Sequence, residues 1–221
     1  MSDTRKTGRW LVAFALTMFT GLVLTDPPGI AESNGQTVTF YSDSAGPAKT
    51  IVAFYLTVVT IVFLFGLLAS VLPDVWKAGH KGLAAASWAA AGGFAALYLA
   101  AAALFALPTA TGYLGFGSGQ VDPVFARTSS TLGAGMLLLA APMLLSVCLA
   151  LFSHGASRTR ALPKWATRSG IGIAGLLLLG WTWFPMPLLV LWGLVVGTAL
   201  NVPGKNSLTA SGEPLPEAAP Q

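Results

Sequence analysis

The sequence predicts an all-α protein that crosses a membrane as a helical bundle. Of its 221 residues, 54% are hydrophobic and only 9% are charged, whereas a soluble domain usually carries about 25% charged residues. All 12 basic and 8 acidic residues lie outside five long apolar stretches, which are residues 10–25, 50–73, 82–121, 128–157 and 169–204. A charge at the bilayer centre costs at least about 2.5–3.5 kcal/mol. This segregation therefore indicates membrane insertion.

The first apolar stretch has the layout of a signal sequence. Basic residues at positions 5, 6 and 9 precede an apolar run over residues 10–25. No small-x-small cleavage pattern follows the run closely, because Asp26, Pro27 and Pro28 come directly after it. We therefore expect an uncleaved first helix, with residues 1–9 in the cytoplasm.

Prolines delimit the second and third predicted helices. The second is expected over residues 47–72, with Pro47 in its first turn and Pro73 stopping it. The third is expected over residues 83–107 and ends before Pro108. It is rich in Ala and contains Gly92 and Gly93, so its backbone can approach neighbouring helices closely.

The fourth predicted helix covers residues 123–152, with Asp122 as N-cap and Pro123 at its first position. It exceeds the roughly 20 residues that a span needs, so its first turns should project from the membrane. Pro142 leaves the carbonyl of Leu138 without a partner and should bend the helix. The bend is either a passive feature or the edge of a hinge or cavity.

The end of the apolar region predicts two more spans, over residues 163–184 and 186–202, for a total of six. Pro185 and Pro187 interrupt the apolar pattern, and an aromatic cluster at positions 181, 183 and 184 precedes them, as at a membrane interface. The alternative is one kinked helix over residues 170–200, which gives five spans.

Basic residues predict the orientation of the six spans. With the N-terminus inside, ten basic residues lie on the cytoplasmic side and two, Lys49 and Arg127, lie outside, as the positive-inside rule requires. Five spans would move only Lys205. The bundle is thus expected over residues 10–202 and a disordered tail over residues 203–221. The ten cytoplasmic residues are Arg5, Lys6, Arg9, Lys77, Lys81, Arg158, Arg160, Lys164, Arg168 and Lys205.

The sequence predicts no catalytic, cofactor-binding or metal-binding residues. General acid–base chemistry needs a titratable group at the reacting atom, and the spans offer no such group beside their hydroxyls, which we expect to bond to backbone carbonyls or to bridge helices. His80 and His154 are expected in separate cytoplasmic loops without further ligands. Cys148 is a single buried thiol, and the glycines of residues 112–119 form a connector.

Three further features leave alternatives open. The outer loop of residues 26–49 has turn signals, one of them Asn34-Gly35, and is either an interfacial segment or a lid, with Asp43 capping the next helix. Tyr55 and Tyr98 either line a polar interior or pack. Gly193 and Gly197 form a GxxxG pattern that serves either homodimerisation or packing within the chain.

Short motifs give the chain a resemblance to a known group. Phe40-Tyr41-Ser42-Asp43, Leu162-Pro163-Lys164-Trp165, Phe184-Pro185 and Leu191-Trp192 resemble those of uncharacterised bacterial multi-pass membrane proteins, which form a domain-of-unknown-function family. The resemblance covers nearly all of residues 8–202. It implies a plasma-membrane helical bundle and carries no activity or site residues.

We therefore expect a non-catalytic accessory component of the cell membrane, or a binder of a lipid or apolar ligand. The alternative is a small secondary transporter, although ion-coupled transporters usually keep an ionisable residue in mid-membrane. Its expected partners are the bilayer, other membrane proteins and a second copy. Nucleic acid is not expected, because the basic residues sit in short loops between apolar spans.

Overall fold

The chain is a helical bundle, which confirms the predicted all-α class. The computed structural model describes residues 4–25, 31–43, 45–112, 121–178 and 185–202, apart from the side chains of Ser42 and Pro185. Within these residues the protein forms helices joined by short connections and contains no strand. The helices are α1 (Thr4–Leu24), α2 (Asn34–Ser42), α3 (Ala45–Lys77), α4 (Lys81–Gly112), α5 (Pro123–Gly135), α6 (Ala141–Thr159), α7 (Lys164–Leu177) and α8 (Pro185–Asn201), with a π-helical turn at Met136–Ala140 between α5 and α6.

Four helical segments are long and apolar enough to cross a membrane. They are α1, α3, α4 and the continuous segment Pro123–Thr159, while Met186–Asn201 in α8 is a shorter apolar helix. The surface between the ends of the bundle is apolar, with Tyr55 64%, Val62 56% and Leu139 51% exposed. Such a surface belongs in lipid rather than in water.

The contacts between neighbouring helices close into a ring. α1 lies between α3 and α8, α4 lies between α3 and α6, and α7 packs on α6 and touches α8. α3 also contacts α6, and the short α2 packs on α5 and α3. The core therefore runs along the middle of the bundle, with Phe94, Leu68 and Phe152 among its largest fully buried side chains.

Pro73 and Pro108 do not stop their helices, contrary to the sequence prediction. α3 continues to Lys77 and α4 to Gly112. Beyond Pro73, Val75 is fully buried and packs against Gly155, so tertiary packing keeps the last turn helical. Beyond Pro108, the Thr111 hydroxyl donates to the carbonyls of Leu107 and Pro108. Near a helix end, the loss of one backbone hydrogen bond to proline is tolerated.

The predicted start of the fourth apolar helix is present, and a π-helical turn stands where a bend was predicted. Asp122 caps α5 by accepting a 2.8 Å hydrogen bond from the Val124 N–H. Just before Pro142, the Ala141 N–H bonds to the Met136 carbonyl, an i to i−5 bond. The chain thus accommodates the missing donor of Pro142 with a π-helical turn.

The chain reverses direction between α7 and α8, so residues 170–200 do not form one helix. The Trp192 indole N–H donates to the Ser169 hydroxyl at 2.9 Å, and a Cβ on Gly170 would lie 3.1 Å from the Trp192 ring. The aromatic cluster predicted at residues 181, 183 and 184 and the tail of residues 203–221 lie outside the described residues.

Candidate functional site

The centre of the bundle is filled by side chains. Phe94, Ala101 and Ala141 expose 0% of their surface, so no space large enough for water adjoins them. Phe94 also stacks on Tyr98 with ring centroids 5.3 Å apart. A ligand would therefore have to displace packed side chains at this level.

The two tyrosines considered as an interior lining have opposite environments. Tyr98 is 3% exposed and its hydroxyl faces Thr57 on α3, whereas Tyr55 is 64% exposed on the outer surface. Pro142 is buried in α6, beside the core residues Ala141 and Leu145. These residues do not meet around a shared opening, so they define no common site.

Most hydroxyls within the apolar helices bond as the sequence predicts, whereas those of Thr109 and Ser153 are buried without a hydrogen bond in the described part of the chain. Thr17 and Thr57 donate to carbonyls one turn back in their own helices. Ser146 instead donates across helices to the Ala174 carbonyl at 2.6 Å, which ties α6 to α7. These bonds satisfy the hydroxyls structurally.

The GxxxG glycines of α8 face α1 of the same chain. A Cβ built on Gly197 would lie 2.6 Å from Val12 Cγ2 and 2.9 Å from the Gly8 carbonyl oxygen, and one on Gly193 would lie 3.0 Å from Ala15 Cβ. The backbones of α1 and α8 approach closely there, and only glycine fits. Of the two alternatives, the structure therefore shows packing within the chain.

His80 and His154 are exposed at the end of the bundle where α1 begins; His80 lies in the connection between α3 and α4, as expected, whereas His154 lies within α6 and not in a loop. Across the described ranges, no three His, Cys, Asp or Glu residues cluster in a way that could hold a metal ion. Cys148 is buried, as expected for a small apolar side chain. The predicted glycine connector lies largely outside the described residues, which include only its first residue, Gly112.

At the opposite end, the outer loop contains a helix that the sequence analysis missed. Asn34-Gly35 starts α2 instead of forming a turn, because Ser33 and Gln36 form a capping box around the first turn. The signal was present as Ser-x-x-Gln. Asp43 accepts a long 3.4 Å hydrogen bond from the Ala45 N–H, which confirms its predicted role as a cap of the next helix.

Arg127 fastens the segment that leads into α2 to α5. Its guanidinium donates to the Glu32 carbonyl at 2.6 Å and to the Asn34 Oδ1 at 2.5 Å. On the buried face of α2, Tyr41 is 7% exposed and its hydroxyl faces that of Ser130 of α5, which is 2% exposed. Neither hydroxyl makes a well-formed hydrogen bond within the described residues. Burial raises the pKa of Tyr41 to about 12, and the nearby Glu32 carboxylate acts in the same direction.

The end of the bundle where α1 begins carries an open cleft. It lies at the turn between α6 and α7, beside the start of α1 and the end of α8, and has a volume of about 360 Å³. Arg160 and Lys164 supply its charges, and Leu162 and Leu200 supply an apolar wall. No sequence motif indicated this cleft, because three distant segments form it. The remaining lining residues are Thr4, Ser157, Ala161, Pro163 and Thr167.

A second groove of about 380 Å³ lies at the same end, between α1 and α3. Lys6 and Asp74 place opposite charges in it, and Trp10 lies directly over Gly66 at its floor. Beside it, the hydroxyls of Thr7 and Ser70 are 3.0 Å apart. The mixed charge distinguishes this groove from the cleft at the α6–α7 turn.

Comparison of the chain with protein-family models, with curated proteins and with solved structures gave no match. The resemblance to uncharacterised bacterial membrane proteins therefore stays a prediction, and the function must be argued from the geometry alone.

Proposed function

We propose that the chain is a multi-pass protein of the cell membrane with six crossings and both ends in the cytoplasm. In the membrane it serves as a non-catalytic component that packs against another membrane protein. The filled centre of the bundle is the observation that carries this proposal. Fully buried Phe94, Ala101 and Ala141 leave no room for a substrate or an ion path at this level. The regions that remain for function are the exposed apolar surface and the clefts at the ends of the bundle.

The distribution of basic residues supports the orientation. Nine of the described basic residues lie at the end where α1 begins, and the opposite end has Lys49 and Arg127. The positive-inside rule assigns the first end to the cytoplasm. The reversal between α7 and α8 supports an even number of crossings, because it returns the end of α8 to the beginning of α1 at Gly8. The nine residues are Arg5, Lys6, Arg9, Lys77, Lys81, Arg158, Arg160, Lys164 and Arg168.

Photo-crosslinking within the native membrane tests the proposed role. A photoreactive phenylalanine analogue at Tyr55, Leu16 or Leu191, which are 64%, 50% and 56% exposed, should crosslink to another polypeptide from at least one position. The same analogue at Tyr98, which is 3% exposed, is the matched control and should crosslink only within the chain.

Crosslinks to lipid alone from all three exposed positions would contradict packing against another membrane protein. A second measurement addresses the alternative of a secondary transporter. Proteoliposomes of the purified protein should take up polar solutes and protons no faster than empty liposomes. Protein-dependent uptake would contradict the proposed non-catalytic role and favour a transporter.

A further inference from the structure

The cleft at the α6–α7 turn combines a built cavity with uncompensated positive charge. Its volume of about 360 Å³ falls within the range of about 300–1,000 Å³ typical of ligand pockets. Arg160 and Lys164 line it, and none of its lining residues in the described ranges is acidic. From this geometry we propose that the cleft binds a phosphate group, with the two cations as its principal contacts.

Both cations are available to a ligand. In the described parts of the chain, neither the Arg160 guanidinium nor the Lys164 ammonium has an ion pair or a hydrogen bond. Arg127 at the other end shows the contrast, because its guanidinium is occupied by Glu32 and Asn34. A guanidinium fork and an ammonium that line the same cleft suit the oxygens of a phosphate.

The backbone of the turn holds the cleft in a fixed shape. Arg160 ends α6 in the left-handed region, with φ 54°, and its N–H bonds to the Ala156 carbonyl. The Ala161 N–H bonds to the same carbonyl, and Ala161 and Leu162 are both buried. The cations are therefore presented by an anchored turn, so little ordering is required when an anion binds.

The first turn of α7 adds to the attraction. Its N-cap is Pro163, and no side chain caps the N–H groups that follow. Those groups and the helix dipole favour an anion at this end. The hydroxyls of Ser157 and Thr167 also line the cleft and are polar neighbours for a headgroup.

The apolar wall suits a lipid as the source of the phosphate. Leu162 and Leu200 are each 5% exposed and line the cleft on the side of the bundle. A phospholipid in the cleft would place its phosphate on the cations and its glycerol region against this wall. A soluble phosphate would use the cations alone. The shared chemistry is the phosphate group, and the two sources can be separated experimentally.

The test is native mass spectrometry of the full chain in neutral detergent at about 0.15 M salt, where charges farther apart than about 8 Å are screened. Phosphatidylglycerol and phosphatidylcholine are added separately. The cleft variant is Arg160→Asn with Lys164→Gln, since asparagine tolerates a left-handed backbone. The matched control is Arg158→Gln with Arg168→Gln, which removes two exposed charges from the same helices outside the cleft. Thermal unfolding of both variants checks that they fold.

We expect one phosphatidylglycerol bound in preference to phosphatidylcholine, with affinity about 30-fold lower in the cleft variant, since each basic residue near a headgroup contributes about 1 kcal/mol. The control variant should bind as the wild type does. Displacement of phosphatidylglycerol by inorganic phosphate, at concentrations that leave bound phosphatidylcholine unaffected, would identify a soluble phosphate as the ligand. Phosphatidylcholine also carries a phosphate, but its choline cation is repelled by the two basic residues. Equal binding of the two lipids, or equal losses in the two variants, would therefore overturn the proposal.

Discussion

The indole N–H of Trp192 donates a 2.9 Å hydrogen bond to the hydroxyl of Ser169. The two residues are 23 positions apart in the sequence, and a continuous helix would separate them by about 35 Å at 1.5 Å per residue. The chain must therefore fold back between α7 and α8. This reversal places the end of α8 beside the start of α1, where Gly197 meets Gly8.

The first prediction concerns the strength of this link. Trp192→Phe and Ser169→Ala should each destabilise the protein, and the double variant should be less destabilised than the sum. The expected coupling free energy is about 0.5–1.5 kcal/mol, the usual range for a hydrogen bond between membrane helices. The measurement is a double-mutant cycle of unfolding in mixed micelles. Strict additivity would show that the hydrogen bond contributes nothing.

The second prediction concerns the contact of α1 with α8. Gly197→Ala should destabilise the protein by about 1–3 kcal/mol, because its Cβ would overlap Val12 and the Gly8 carbonyl. Gly172→Ala is the control, since a Cβ there meets no atom within 4 Å. The control should leave stability unchanged or raise it slightly. Thermal unfolding in detergent compares the two, and equal unfolding temperatures would contradict the close packing.

The third prediction concerns the attachment of α2. Arg127→Gln removes the donors to the Glu32 carbonyl and the Asn34 side chain. Amide hydrogen exchange in α2 should then accelerate by about tenfold, since a hydrogen bond from a charged group contributes about 1.5–3 kcal/mol. Lys49→Gln removes the same charge at the same end and should not change exchange in α2. Equal protection of α2 in the Arg127 variant and the wild type would rule out the attachment.

The fourth prediction concerns pH. Burial on the inner face of α2 raises the pKa of Tyr41 to about 12 from about 10. The folded state therefore holds the Tyr41 proton more tightly than the unfolded state. The resulting stabilisation is complete below about pH 10 and is lost as the pH rises through about 12. Tyrosinate absorbance should show a late-titrating group that is missing in Tyr41→Phe. Titration of Tyr41 near pH 10 would show that its side chain is not buried between α2 and the bundle.

The fold class could be predicted from the sequence because a bilayer excludes charge. Four of the five apolar stretches coincide with long apolar helices, and Asp122-Pro123 marks the start of α5. A local change of helix geometry before Pro142 could also be predicted, because proline removes a defined backbone donor. These are local consequences of residue type.

The helix ends at Pro73 and Pro108 could not be predicted because tertiary packing outweighs a local signal there. Val75 is buried against Gly155 only once α3 and α6 are side by side. The helix α2 differs from the sequence prediction for another reason, since Asn34-Gly35 is a frequent turn pair, whereas the capping box of Ser33 and Gln36 starts a helix there.

The cleft could not be predicted because it depends on assembly. Arg160 and Lys164 read as orientation signals in the sequence, and only the fold places them beside Leu200 of α8. The choice between packing and dimerisation at Gly193 and Gly197 likewise required the position of α1. Local patterns predict elements, whereas surfaces built from distant segments require their packing.

The number and direction of the crossings are tested most directly by cysteine labelling in intact cells. Cys148→Ala gives a cysteine-free background, and an impermeant thiol reagent is applied to single cysteines at Ala31, Ala78 and Ser207. Six crossings with a cytoplasmic N-terminus predict labelling at Ala31 and protection at Ala78 and Ser207 until the cells are permeabilised. Labelling of Ser207 together with Ala31 in intact cells would contradict the sixth crossing.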